Sequence, residues 1–255
     1  MTVKTPSRKG QGDHWTDGGQ DYSAYRPTYP AALADALAAL APETGLAVDA
    51  GCGTGQLSTL LAGRFDRVIA TDISGDQIAN ATAAKGVTYH VAPAEQIPAG
   101  AQDVDLITVA QAAHWLDLDA FYGEAKRVAR PGAVMALISY GVLTIDGPLQ
   151  QRFQDFYWRD LKDFWPPERR HVETGYADLY FPFEPIAPPS LHIERDWDLR
   201  TFLGYLDTWS AVKAAYRADR SKPVADFHAA AHEMWPDEDA RQRITWPLNL
   251  RLGRL

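Results

Sequence analysis

Residues 48–55 read Val-Asp-Ala-Gly-Cys-Gly-Thr-Gly, and a second acid, Asp72, follows about one strand and one helix later. Gly51, Gly53 and Gly55 let the backbone turn sharply and approach a ligand with no Cβ in the way. The helix that begins at Gln56 leaves its first N–H groups pointing back at that ligand. A dinucleotide site would want G-x-G-x-x-G. Here Gln56 occupies the place of the third glycine, and Asp49 would repel a pyrophosphate. A ligand with an ammonium group would not be repelled. Cys52, the only cysteine, sits among loop residues that are there for shape, so it reads as a small loop residue rather than a nucleophile. A single cysteine rules out an internal disulfide and fits a reducing cytoplasm. No Cys/His pair has metal-ligand spacing, so no metal is expected.

The elements that must position this loop follow from the pattern around it. Helix composition over 30–41 begins at Pro30 and is broken at Gly45. Strand and helix signals then alternate: strand 46–50, helix 55–63, strand 67–72, helix 75–85, strand 87–91, strand 104–109, helix 117–130 and strand 133–140. Such alternation predicts an α/β fold, a mostly parallel sheet with helices on both faces. Ligands in such sheets bind outside the carboxyl ends of the strands. Asp49, Asp72, Glu95 and Gln111 all fall at those ends, around one crevice.

These segments, taken in order through about residue 140, resemble the class I S-adenosylmethionine-dependent methyltransferases. The group of likeness is the methyltransferase type 11 group that includes trans-aconitate methyltransferase-like proteins. Val-Asp-Ala-Gly-Cys-Gly-Thr-Gly matches the first family motif, with Asp49, Gly51, Gly53 and Gly55 at the cofactor. Ile69-Ala70-Thr71-Asp72 matches the second strand, whose terminal acid holds both ribose hydroxyls. A carboxylate suits that role because it accepts two hydrogen bonds side by side. Ile73 and Gln77 follow on the same side. Ala92-Pro93-Ala94-Glu95 resembles the adenine-side loop, which places Ala94 and Glu95 at the cofactor. Pro93 departs from the pattern, since members often carry Asp there for the adenine amino group. Asp105 to Gln111 resembles the fourth strand leading to the active site, and Arg130-Pro131-Gly132-Ala133 the turn before the fifth. The resemblance implies a Rossmann-like seven-stranded sheet, S-adenosyl-L-methionine as cofactor and S-adenosyl-L-homocysteine as product.

Methyl transfer is an in-line displacement at a carbon activated by a positive sulfur, so the protein must align the nucleophile and exclude water. A base helps only where the nucleophile must lose a proton. In Ala110-Gln111-Ala112-Ala113-His114-Trp115, the resembling subgroup has a His-Trp pair beside the methyl group. His114 is thus the candidate catalytic residue, to orient or deprotonate the acceptor, and Trp115 a candidate substrate contact; a capping His and a packed Trp are the plainer alternatives. Tyr22-Ser23-Ala24-Tyr25-Arg26-Pro27 resembles an N-terminal segment that folds over the cofactor, with Arg26 on the methionine carboxylate and Tyr22 over the methyl. Beyond Tyr140 the pattern changes. Residues 147–165 are aromatic and helical, Pro166-Pro167 ends that helix, 190–195 alternates, 199–215 reads as a helix carrying Trp209, and 243–252 alternates again. The expected organisation is a disordered leader over 1–20, a cofactor-binding core over 21–140, a lid over 141–190, and the closing helix and strands of the sheet over 191–255. Arg169-Arg170-His171 in the lid, Arg170 and His171 above all, read either as a clamp for an acidic substrate or as a solvated charge cluster. Trp209 reads either as pocket lining or as core.

The chain of 255 residues carries a net charge of −8, with 46% hydrophobic and 23% charged residues. These are ordinary globular values, and the acidic balance disfavours nucleic acid as a partner. No apolar run approaches the ~20 residues that cross a bilayer, and Met1 to Gly12 has no apolar core of a secretory signal. The expected partner is a small-molecule acceptor, a carboxylate or a phenol or heterocycle, met by a cytoplasmic monomer or homodimer without nucleic acid or membrane. Two other readings share the cofactor site: an RNA methyltransferase and a non-catalytic binder of the same cofactor.

Overall fold

Alternation of short apolar runs with amphipathic stretches builds the first half of the chain, seen here in a computed structural model that describes residues 27–235, 237 and 239–255. Tyr22, Arg26 and the expected leader lie outside the described residues. Helix α1 (Ala31–Leu40) starts after Pro30, whose extended backbone ends the approach, and buries Leu33, Ala34 and Leu37. Strand β1 (Leu46–Ala50) is buried at every position, as suits a central parallel strand covered on both faces. It is followed by α2 (Gln56–Leu61), β2 (Arg67–Asp72), α3 (Gly75–Ala79), β3 (Val87–Val91), β4 (Val104–Ala110), α4 (Leu118–Val128) and β5 (Ala129–Tyr140). Asp117 caps α4, accepting from the Ala120 N–H at 3.2 Å, and Phe121, Tyr122, Ala125 and Val128 form its buried stripe.

The second half adds β6 (Thr144–Ile145), α5 (Leu149–Asp155), α6 (Arg169–Glu173), β7 (Glu184–Ile186), β8 (Leu191–Trp197), α7 (Leu199–Asp207), α8 (Ser210–Arg217), α9 (Lys222–Met234) and β9 (Gln242–Arg254). The sheet has nine strands. Strands β1 to β5 are parallel neighbours in the order β3-β2-β1-β4-β5, and β9 runs antiparallel to β5, with Tyr140 opposite Leu248. Leu248 also faces Leu191, and Thr245 faces both Thr144 and Glu194. Strands β7 and β8 therefore lie on the outer edge of β9, and β6 continues the inner edge begun by β5. The expected seven strands become nine because β6 extends the position of the long β5 along one edge of β9, and the short β7 and β8 share the other.

Strand β5 shows how the sheet divides the core. Ala133, Met135 and Leu137 point to the side of α4, while Val134, Ala136 and Ile138 point to the side of α1 and α2. Asp105, buried in β4, ties the strand start to its neighbour by accepting from the Gly45 and Leu46 N–H groups, each at 2.9 Å, and lies 3.0 Å from the Arg130 Nε.

Several expected boundaries move. The helix over 75–85 stops at Ala79, where Asn80 leaves helical geometry. Arg130 to Gly132, expected as a turn, already belong to β5, because Ala129 pairs with Val104 and the Gly132 N–H reaches the Leu255 carbonyl. The expected helix over 147–165 is α5 followed by a π-turn over Phe156–Asp160 and a 3₁₀ turn over Lys162–Phe164. The helix over 199–215 breaks at Thr208 into α7 and α8. Aromatic packing crosses residue 190: Phe153, Phe156, Phe202, Trp209 and Phe227 from α5, the π-turn, α7, the α7–α8 junction and α9 form one aromatic cluster, called the aromatic cap below.

Candidate active site

The glycine loop is held from below by a buried acid. Asp49 is 1% exposed and accepts from the Ser58 hydroxyl at 2.6 Å and the Thr108 hydroxyl at 2.9 Å. Burial pushes its carboxyl up to about 6, against the lowering effect of those two hydrogen bonds. Asp49 thus lies beneath the loop and reaches a ligand through its charge rather than by touching it. The loop turns at Gly51 (φ +69°) and Gly55 (φ +84°). A Cβ on Gly51 would sit 2.7 Å from the Ala112 Cβ, and one on Gly55 would sit 2.1 Å from the Tyr89 hydroxyl. The close approach these two glycines permit is to the protein itself. Gly53 is different: a Cβ there would meet nothing nearer than the Gln77 Oε1 at 3.7 Å, so the middle of the loop presents open backbone.

Asp72 ends β2 beside that opening. Its Oδ2 accepts from the Gly53 N–H at 2.9 Å and its Oδ1 from the Ser74 N–H at 2.8 Å. One amide on each oxygen fixes the carboxylate plane and leaves each oxygen a further lone pair. Ile73, next in the chain, is an exposed large apolar side chain at 72%, and Gln77 flanks Gly53. The Ala92 N–H returns the β3 loop to the Asp72 carbonyl at 3.0 Å. Ala94 is buried there, and Glu95 accepts from the Asp117 N–H at 3.2 Å. Burial, followed by the charges of Asp49 and Asp72, pushes the Cys52 thiol far above its ordinary range, which removes it as a nucleophile.

At the end of β4 the chain strains. Gln111 has φ +59°, a left-handed conformation that costs a non-glycine residue ~1–2 kcal/mol, and its N–H reaches the Ile138 carbonyl at 2.8 Å. Its Nε2 and the Thr71 Oγ1 are buried with no hydrogen-bond partner among the described residues. Strain and orphaned polar atoms at strand ends mark a functional crevice. A 3₁₀ turn over Ala113–Trp115 then presents His114, whose Nδ1 lies 3.0 Å from the Tyr176 hydroxyl and whose ring centroid is 4.8 Å from that of Trp115. Burial, and then the positive charges of His171 and Arg169, lower the His114 imidazole to about 4.

Of the lid residues, Arg170 is 72% exposed and paired with Asp178 at 3.2 Å, and the His171 Nδ1 lies 3.0 Å from the same carboxylate. The His171 contact, and after it the Thr174 hydroxyl at 2.9 Å, hold the Asp178 carboxyl down at about 2. Arg170 and His171 therefore share one carboxylate, with Arg170 exposed and His171 half-buried. The side chain that turns inward is Arg169, because α6 presents successive residues about a quarter-turn apart. Its Nε donates to the Tyr157 hydroxyl at 2.8 Å, which donates in turn to Glu173 at 2.7 Å. Trp209 packs on Phe153, Tyr157, Trp165 and Tyr205 and belongs to the cap's aromatic core. Sequence reasoning missed Tyr89, Tyr157 and Tyr176, and it named Arg169 only as one member of the basic cluster 169–171.

The geometry fits S-adenosylmethionine: a fixed carboxylate for vicinal hydroxyls, open glycine backbone, a buried negative charge and unpartnered polar atoms share the carboxyl edge of one parallel sheet. Residues 48–137 match the family model of the methyltransferase domain. A Dictyostelium discoideum protein named as a putative methyltransferase is 33% identical over 96% of this chain and 94% of its own length. The structure of a protein described as a putative type II methyltransferase from Anaeromyxobacter dehalogenans superposes with a TM-score of 0.87 at 45% identity, covering 90% of this chain and 98% of that one. A malonyl-[acyl-carrier protein] O-methyltransferase of a Methylovorus strain is 32% identical over 43% of this chain and 40% of its own. The chain belongs to the S-adenosylmethionine-dependent methyltransferases.

Proposed function

We propose that this enzyme methylates a small-molecule acceptor bound between the carboxyl ends of β4 and β5 and the aromatic cap, in the manner of the trans-aconitate methyltransferase-like proteins it resembles. The acceptor is a carboxylate or a phenol or heterocycle. The observation that carries the reading is the His114–Tyr176 pair, 3.0 Å apart, just beyond the carboxyl end of β4. When bound, the cofactor supplies an electrophilic methyl on a positive sulfur. Asp72 holds the hydroxyls, Gly53 gives the backbone surface, Asp49 supplies the negative field, and Ile73, Ala94 and Glu95 border the far side. Gln111 offers an unpaired amide donor. Arg26 and Tyr22 are the proposed cover from the N-terminal segment.

His114 orients rather than deprotonates. A conjugate acid at about 4 facing an ordinary phenol near 10 would take the proton uphill by about 8 kcal/mol. The neutral ring, set by Tyr176, is instead a fixed hydrogen-bonding partner, with Trp115 against it. The cap keeps water out. The enzyme works as a cytoplasmic monomer or homodimer and needs no nucleic acid or membrane; among the described residues no helix is long and apolar enough to cross one. The test is transfer of labelled methyl from S-adenosylmethionine to a panel of carboxylic acids, phenols, heterocycles and, in parallel, unmodified RNA. Label in a small acid or phenol supports the reading. Label in RNA alone, or in nothing despite cofactor binding, refutes it.

A further inference from the structure

The guanidinium of Arg251, in β9, grips backbone, and the backbone it grips leads to His114. Alternation along β9 puts Asn249, Arg251 and Gly253 on one face of the strand. The chain that follows α6 is laid along that face. Gly175 rests on Asn249: its φ is +62°, and a Cβ there would sit 2.9 Å from the Asn249 Cβ. Phe181 and Phe183 rest on Gly253, where a Cβ would come within 2.6 Å of each. Between these two contacts the Arg251 Nη1 donates to the Tyr176 carbonyl and, at 2.5 Å, to the Leu179 carbonyl. The guanidinium centre lies 5.0 Å from the Phe181 ring. A planar guanidinium can lie against a ring while one nitrogen reaches two carbonyls, a combination that an ammonium does not reproduce.

These contacts hold Tyr176. It is fully buried and has φ +64°, a left-handed conformation that bulky residues rarely adopt and that persists only where the surroundings impose it. The His171 carbonyl takes its N–H at 2.7 Å, and Arg251 takes its carbonyl. Pinned on both sides of its Cα, Tyr176 places its hydroxyl 3.0 Å from the His114 Nδ1. That is the only hydrogen bond of the His114 side chain among the described residues. A 3₁₀ turn of three residues carries His114, so the direction of the imidazole nitrogen is set by this partner. The orientation is relayed from β9 to the turn at 174–179, from the turn to Tyr176, and from Tyr176 to the imidazole.

We propose that Arg251 is a positioning residue for methyl transfer: by tying the Tyr176 and Leu179 carbonyls to β9 it holds the Tyr176 hydroxyl on His114 and so aims the imidazole at the acceptor. The acceptor part rests on the methyltransferase reading; the relay from Arg251 to His114 does not.

The test reads His114 by heteronuclear NMR of the full chain carrying nitrogen-labelled histidine, at neutral pH and without cofactor or acceptor. The His114 signals are assigned by their loss in H114Q. Y176F is expected to shift the His114 Nδ1 resonance, because the hydrogen bond at that nitrogen ends. R251M is expected to shift it in the same direction, and the Y176F/R251M pair no further than Y176F alone, since both act in one chain of contacts. R251K, which keeps the charge but not the planar fork, is expected to fall between R251M and the unchanged protein. Circular dichroism establishes that each variant is folded; if R251M is not, R251Q is read in its place. An unshifted His114 in Y176F or in the folded Arg251 variant, or a double-variant shift equal to the sum of the two singles, overturns the proposal. With an acceptor found in the labelled-methyl panel, R251M is expected to lower kcat about ten-fold or more while KM for S-adenosylmethionine stays within about two-fold; an unchanged kcat overturns the positioning role. Absence of any acceptor or of S-adenosylhomocysteine binding in the unchanged protein would instead strike the methyltransferase reading, and the NMR result would stand apart from it.

Discussion

Replacing Asp49 with Asn should make the fold more stable at neutral pH while weakening the cofactor. The carboxyl sits at about 6 when folded, because burial costs its charge more than Ser58 and Thr108 return. Its ordinary value is 3.8, so the displacement corresponds to about 3 kcal/mol at 1.36 kcal/mol per unit. The sign follows from proton counting. Between pH ~4 and ~6 the folded chain keeps a proton that the unfolded chain has released, so this group's contribution to stability falls as pH rises through that window. Above pH ~6 both forms are ionised and the full penalty stands. Asn keeps the shape without the charge, and both hydroxyls can rotate to suit an amide. Urea unfolding of both proteins should therefore agree near pH 4 and diverge to as much as about 3 kcal/mol in favour of D49N by pH 7. A D49N protein that is less stable at pH 7, or a difference that does not change with pH, would refute the reasoning. A positive ligand stabilises the ionised form. Cofactor affinity in the unchanged protein should accordingly fall below pH 6, and that dependence should vanish in D49N.

Other perturbations separate site from scaffold. Gly55→Ala places a Cβ at φ +84° against Tyr89 and should cost about 2 kcal/mol, or roughly 4–8 °C in melting temperature. Asp105→Ala strands the Gly45 amide and the buried Leu46 amide and leaves Arg130 to Glu43 alone. It should cost about 3 kcal/mol in denaturant unfolding, with S-adenosylhomocysteine affinity unchanged. His114→Ala, by releasing the acceptor from its aligned position, should lower kcat/KM for the identified acceptor about 100-fold without changing cofactor affinity by calorimetry. Because His114 sits at about 4, its neutral form prevails from pH 5 to 8 and is lost only as pH falls through about 4. A pH–rate profile with a His114-dependent step near 6.5 would contradict the buried neutral ring.

The sheet was legible because its order is written in local patterns. β1 is a short apolar run, the glycine loop ends it, and Asp72 closes the next strand, all within some twenty-five residues of chain. The cap was less so. Its aromatic cluster joins Phe153 to Phe202, Trp209 and Phe227, contacts far apart in sequence that no periodicity announces. The basic cluster at 169–171 was visible, yet which arginine faces inward depends on helix phase, and one residue of rotation exchanges a solvated Arg170 for a stacked Arg169. Tyr176 lay beyond reach for the same reason: its meeting with His114 spans 62 residues. Asp49 was legible as an acid at the loop, while its burial under two hydroxyls needed the packed structure.

The central claim is a cofactor site built on Asp72 and the glycine loop, and calorimetric titration of S-adenosylhomocysteine into the unchanged protein and into Asp72→Ala tests it most directly. The account predicts saturable one-to-one binding by the first and a loss of at least ten-fold in affinity by the second, with both folded by circular dichroism. No binding to the unchanged protein at millimolar ligand, or equal affinity in the two, would contradict it.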